Sequence, residues 1–422
     1  MSKLGQVEMS VAHRRITGEV PEGWDTKRLG DACSKIGSGA TPRGGKDSYS
    51  SSGISLIRSQ NVLNEGFSES GLAFIDDSQA KELDNVALML DDVLLNITGE
   101  SVARCCMVPG HVLPARVNQH VSIIRTIRDC LDPEFLRYFL ISPKMQQHML
   151  ALASSGATRQ ALTKGMIENF EISSPSLDEQ RSIAKILSDL DEKIELNHRM
   201  NKTLETIAQG IFRQWFMEQD NAKRYSSVAD LVEFDPQVTA KKGEVLPYVD
   251  MKALSTEGMG VDGIVLRLFS GGAKFQNNDT LFARITPCLE NGKTAFVNFL
   301  NGENPVGFGS TEFIVMRPKE GISPQFVYCL ARHLEFRLHA IQSMVGSSGR
   351  QRVQLNMLKS YELLRPAQDS MNKFHKATLP LFSKINENRK EIQALSQIRD
   401  SLLPKLMSGK IRVKRVRSAS NV

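Results

Sequence analysis

The chain is written twice. A seam spaced alternately by four and three residues runs through Ile183, Leu187, Leu190, Ile194, Asn197, Asn201, Leu204, Ala208, Ile211 and Trp215. The same spacing returns in Phe374, Thr378, Leu381, Ile385, Asn388, Ile392, Leu395, Arg399, Leu402 and Leu406, each 191 residues after its counterpart. The match extends upstream: "DPEFLRYFL" from Asp132 falls on "SPQFVYCLA" from Ser323, and "MIENFEISSP" from Met166 falls on "MLKSYELLRP" from Met357. Earlier still the register drifts, with "DDVLLNIT" ending at Thr98 answering "DTLFARIT" ending at Thr286. A repeat near 190 residues is too long for a solenoid unit, so it reads as two domains, each followed by one long helix.

Each helix carries a one-sided apolar stripe that must be buried, and its own duplicate is the available partner. Two copies related by a pseudo-twofold axis would pair as an antiparallel coiled coil. From Ile183 to Trp215 the rod is about 48 Å long at about 1.5 Å per residue. Ser176 and Glu179 form a capping-box pattern at the start of the first helix. The globular segments hold strand-like runs ("GISLIRSQNV", "VALMLDDVLLNIT", "HVSIIRTI") and a helical run interrupted at Pro143, which makes the fold class α+β. The expected division is 1–175 and 218–366 for the two domains, 176–217 and 367–410 for the two helices, and 411–422 for a basic tail.

Asn197 and Asn388 occupy the midpoints of the two aligned helical stretches. In an antiparallel pair they meet at the crossing, where their amides could bond each other and fix the register. The competing expectation is that both face water at a loose point in the coil. Trp215 and Phe216 are expected at a junction between the helix and a domain or a partner.

Several kinds of chemistry are excluded. Phosphate loops fail because Ala40 and Pro287 stand where Gly45-Lys46 and Gly292-Lys293 would need a glycine five residues earlier. There is no H-E-x-x-H, no G-x-S-x-G and no C-x-x-C. The adjacent Cys105 and Cys106 read as core, no apolar run is long enough to span a membrane, and a reducing cytoplasm is the expected location. The net charge of +6 is compatible with a polyanionic partner.

With these residues in place, the chain resembles the specificity subunits of type I restriction-modification systems. The resemblance lies in "PEGWDTKRLGD", "GSGATP", "SLDEQRSIAKILSDLDEKIELNHRMNKTLETIAQGIFRQWF" and "NDTLFARITPCLENGKTAFV". It implies two target recognition domains, each reading one half of a split double-stranded DNA sequence, on a frame that carries two methyltransferase and two restriction (motor-endonuclease) subunits. It also implies no catalysis and no cofactor in this chain. S-adenosylmethionine, ATP and Mg²⁺ would belong to the partners, for adenine methylation or cleavage. The residues agree: two diverged readers on one rod predict a bipartite, asymmetric target with an unread gap. The alternative is a non-enzymatic coiled-coil scaffold whose twin domains bind proteins.

Candidate DNA-facing groups are the basic and amide side chains of Gly/Ser-rich loops. In the first copy they are Arg43, Lys46, Arg58, Gln60, Asn61, Arg159 and Gln160; in the second, Lys274, Arg284, Asn291, Lys293, Arg350, Gln351 and Arg352. Arginine suits guanine edges, asparagine and glutamine suit adenine edges, and lysine suits phosphate. Any of them could equally be a solvated loop charge. The Arg-Gln pair recurs in both copies, and even it could mark a shared turn.

Overall fold

A computed structural model describes residues 20–154, 160–218, 225–347 and 349–413. It contains two compact units, Met1–Lys193 with Leu395–Val422, and Ile194–Ala394. Each unit therefore holds one globular copy and part of both long helices, Leu177–Phe212 and Gln368–Met407.

The two copies share one framework. In the first, an antiparallel sheet runs in the spatial order Cys33–Ser38, Val121–Thr126, Val93–Asn96, Cys105–Met107. In the second, the same order is filled by Val232–Phe234, Phe313–Pro318, Thr280–Ala283 and Thr294–Phe296. Two helices pack on each sheet: Pro133–Ile141 with Pro143–Ser154, and Pro324–Arg332 with Leu334–Gln342. The break expected at Pro143 falls at Ser142, whose backbone is extended, as a residue before proline prefers.

A buried ion pair shows the duplication at atomic level. Asp92 is fully buried, accepts Arg125 Nε and Nη2 at 2.7 Å each, and accepts the Met89 amide three residues back at 2.8 Å. Asp279 accepts Arg317 Nε at 2.7 Å and Nη2 at 2.6 Å, and the Gln276 amide at 2.7 Å. Each aspartate follows a residue of positive φ, Asp91 at 69° and Asn278 at 75°. The pair thus closes the turn entering a central strand and satisfies a buried carboxylate with good geometry.

The long helices pair antiparallel within each unit. In the first, Ile183, Ala184 and Leu187 share a core with Leu403 and Leu406. There Asp191 accepts Arg399 Nη1 at 2.9 Å from the second helix, and Arg137 Nη2 at 3.0 Å and Tyr138 O–H at 2.8 Å from the domain. In the second unit Ala208 and Phe212 share a core with Phe374, Phe382 and Ile385. No seam position of either helix is exposed, so the four-three spacing does mark the buried stripe. Phe216 is buried against Phe326 and Phe374, and Trp215 stacks edge-on against Phe374, a junction of helix and domain.

Two expectations need correction. Asn197 and Asn388 are buried, but they do not bond each other: Asn197 Nδ2 donates to Glu391 Oε2 at 3.0 Å, and Asn388 Nδ2 donates to Asn201 Oδ1 at 2.9 Å. Both Oδ1 atoms lack a hydrogen-bond partner among the described residues. The amides are staggered along the seam, so each meets a polar group on a different turn of the facing helix. Glu179 does not close a capping box either. Its carboxylate accepts Arg412 Nε and Nη2 at 2.8 Å each, a charge-assisted contact stronger than a neutral amide offers.

Candidate nucleic-acid interface

The strand ends beyond the buried ion pairs build a matching locus in each copy. In the first, the Gly99 amide donates to Gln160 O at 3.2 Å and the Leu162 amide to Ile97 O at 2.8 Å, while Thr98 Oγ1 and His120 Nδ1 share a 2.7 Å hydrogen bond. In the second, the Thr286 amide donates to Gln351 O at 3.1 Å and the Val353 amide to Arg284 O at 2.9 Å. The recurring Arg-Gln therefore stitches a loop to a strand end through the glutamine backbone in both copies. Arg350 is exposed beside that stitch, and Arg159 lies outside the described residues.

The second locus carries more charge. Arg352 donates Nε to Glu312 Oε1 at 3.0 Å and Oε2 at 2.9 Å, with Nη2 on the same carboxylate. Hydrogen bonding to Arg352 holds the Glu312 carboxyl below the usual glutamate range. The half-buried Arg284 lies in the same field, its Nε buried and unpartnered among the described residues.

Other sequence candidates separate by what their side chains already do. Asn61 is fully buried, donating Nδ2 to Ser68 O at 2.8 Å and Ser70 O at 3.2 Å and accepting the Arg58 amide at 3.0 Å. It holds a loop together and does not face a ligand. Arg58 binds Gly71 O and lies over the Tyr49 ring, and Gln60 Nε2 reaches Gly71 O at 3.1 Å. Lys293 turns inward to Met251 O at 3.0 Å. These three tie loops through backbone carbonyls. Arg43, Gln160 and Asn291 are exposed, and Lys46 lies in the short turn Gly45–Ser48 with its side chain outside the description.

One element was not anticipated. In the second copy a four-stranded sheet is ordered Val265–Leu268, Val245–Val249, Gly307–Gly309, Ala273–Phe275. Its edge strand Val265–Leu268 is exposed at every residue, with Leu266 and Leu268 each 65% exposed. Cross-strand register places Val265, Tyr248, Phe308 and Lys274 in one row on one face. Arg267, two residues along, shares that face, its guanidinium 4.2 Å from the Tyr248 ring centroid. In sequence this strand reads as an apolar run destined for burial; only its place at a sheet edge exposes it.

No group of three or more His, Cys, Asp or Glu side chains among the described residues could hold a metal. Burial pushes the Cys33 and Cys106 thiols up to about 12, so neither is a thiolate at neutral pH. No helix among the described residues is long and apolar enough to cross a membrane.

Residues 21–206 match the family described as type I restriction modification DNA specificity domain. The type I restriction enzyme MjaIX specificity subunit of Methanocaldococcus jannaschii is 26% identical over 94% of this chain and 95% of its own length. The HindI specificity subunit of Haemophilus influenzae is 20% identical over 85% of this chain and 94% of its own. The crystal structure of the S subunit of the type I restriction-modification system from M. genitalium shares the fold, with a TM-score of 0.58 at 16% identity over 92% of this chain and 97% of that one. The chain thus carries the type I restriction modification DNA specificity domain over its first copy and is similar along most of its length to specificity subunits of type I restriction enzymes.

Proposed function

We propose that this chain is the specificity subunit of a type I restriction-modification system, not itself a catalyst, and reads a bipartite and asymmetric double-stranded DNA target, one half-site per globular copy. The observation that carries the reading is a framework repeated down to its buried Asp–Arg pair, with unlike side chains at the adjoining strand ends. A repeated framework supports two readers of one kind, and unlike side chains support two different half-sites. Exposed Arg43, Gln160, Asn291 and Arg350, with the half-buried Lys274 and Arg284, are the contacts retained from the sequence. Asn197 and Asn388 act as register groups of the coil, and the register then helps set the unread gap.

The frame would carry two methyltransferase and two restriction subunits in the cytoplasm. Those partners would supply S-adenosylmethionine, ATP and Mg²⁺ for adenine methylation or cleavage. The test is selection from randomised duplexes by the chain assembled with its methyltransferase subunits. Two unlike motifs at a fixed gap, with affinity falling steeply as salt rises, are expected. One contiguous motif would overturn the reading.

A further inference from the structure

The exposed edge strand of the second copy, Val265–Leu268, forms a ribbon with the largely buried Val245–Val249 and has no role in the framework. A bare edge strand with exposed leucines is a liability unless something covers it. Leu266, Leu268 and Val245 share one face and are all exposed, while Val265 and Arg267 are exposed on the other. An edge strand exposed on both faces fits a groove that encloses it better than it fits a flat partner.

The charge on the ribbon selects the occupant. Arg267 and the half-buried Lys274 share a face, and exposed Lys241 and Lys242 lead into the first strand. The adjoining carboxylate, Glu244, accepts the Lys241 amide at 3.1 Å and closes the turn. Among the described residues no carboxylate pairs with Arg267, unlike Arg352, Arg317 and Arg389 of the same unit. Stacking on Tyr248 fixes the guanidinium plane and leaves its N–H edge available. The DNA major groove, about 12 Å wide, admits a two-stranded ribbon, offers guanine O6 and N7 to an arginine fork, and presents thymine methyls to apolar side chains.

We propose that this ribbon enters the major groove and reads the half-site of the second copy, with Arg267 on a guanine edge and Leu266 and Leu268 against thymine methyls. The inference rests on the DNA-reading function above and assigns that reading to an element.

The full chain, assembled with its methyltransferase subunits, is assayed on its selected duplex and on duplexes carrying 7-deazaguanine for guanine or uracil for thymine. Arg267→Lys should lower the guanine preference at one position of one half-site by roughly tenfold to a hundredfold and make it insensitive to 7-deazaguanine. Leu266→Ser with Leu268→Ser should erase discrimination between thymine and uracil in that same half-site. The other half-site stays unchanged in both variants, and unaltered thermal unfolding confirms that they fold. Base preferences unchanged in both half-sites overturn the proposal. So does a loss of subunit assembly with preferences intact, which would make the ribbon a protein-docking edge. A wild-type complex without bipartite preference would instead defeat the broader reading.

Discussion

Asp191→Ala gives the clearest test of how each helix is fastened to its domain. The carboxylate is the shared acceptor for Arg137, Tyr138 and Arg399. The Arg137 side chain is 9% exposed and the Tyr138 residue fully buried, so neither can turn to water when the acceptor is removed. Stranding a buried guanidinium costs about 3–5 kcal/mol, and the orphaned phenol keeps the loss from falling at the low end. The Arg399 side chain is 22% exposed and keeps Asp400 at 2.9 Å, so it adds little. A loss of about 4 kcal/mol, at a urea dependence of about 2 kcal/mol per molar, moves the midpoint of the first unit down by roughly 2 M. Urea unfolding by circular dichroism reads this, and Asp191→Asn, which keeps an acceptor, should recover about half. A loss below about 1 kcal/mol in Asp191→Ala would refute the account, because Arg137 would then have found another partner or water.

Asn388→Leu loses a neutral hydrogen bond worth about 1 kcal/mol and relieves a buried unpartnered carbonyl costing about 1–3 kcal/mol, so it should stabilise the coil slightly. Disulfide trapping of cysteine pairs placed along the helices of the second unit should then capture one-turn-shifted registers absent from the wild type. Gly409→Ala should destabilise by about 1–3 kcal/mol in a thermal melt, because φ is +66° and a Cβ would lie 2.4 Å from Pro21 Cγ. Glu179 has its pKa lowered by hydrogen bonding to Arg412. Its contribution is therefore complete above the ordinary glutamate range and lost as pH falls through the depressed value. Tryptic cleavage at Lys410 in Glu179→Gln at neutral pH should be faster than in the wild type.

What was legible in the sequence was set by periodicity. Burial along a helix pair demands the four-three spacing, so the seam could be read directly, and its repetition exposed the duplication. What was not legible depends on partners distant in sequence. Asn61 and Lys293 are polar loop residues, and only the folded chain shows that Ser68, Ser70 and Met251 carbonyls claim them. Glu179 sits where a capping box belongs, but an arginine 233 residues later outcompetes the backbone. Arg267 hid in an apolar run because exposure at a sheet edge is decided by which strand fails to find a neighbour.

The proposed asymmetry of the target rests on one comparison of equivalent positions. Beyond the shared Asp–Arg pair the first copy presents Asn96, Thr98 and His120, and the second presents Arg284, Thr286 and Glu312. Asn96 is buried and spends Nδ2 on Ser59 O at 2.8 Å, and His120 bonds Thr98, so these groups are already engaged. At the equivalent place Glu312 orients Arg352, with Arg284 alongside. A carboxylate that takes Nε–H and one Nη2–H of an arginine leaves its remaining N–H groups free to donate, a donor array with no counterpart among the described residues of the first copy. Under the proposed reading, two copies that share a central sheet and its Asp–Arg pair yet offer different donors there are expected to favour different bases. Exchanging the two copies within the chain should therefore reverse the order of the half-sites while leaving each motif intact.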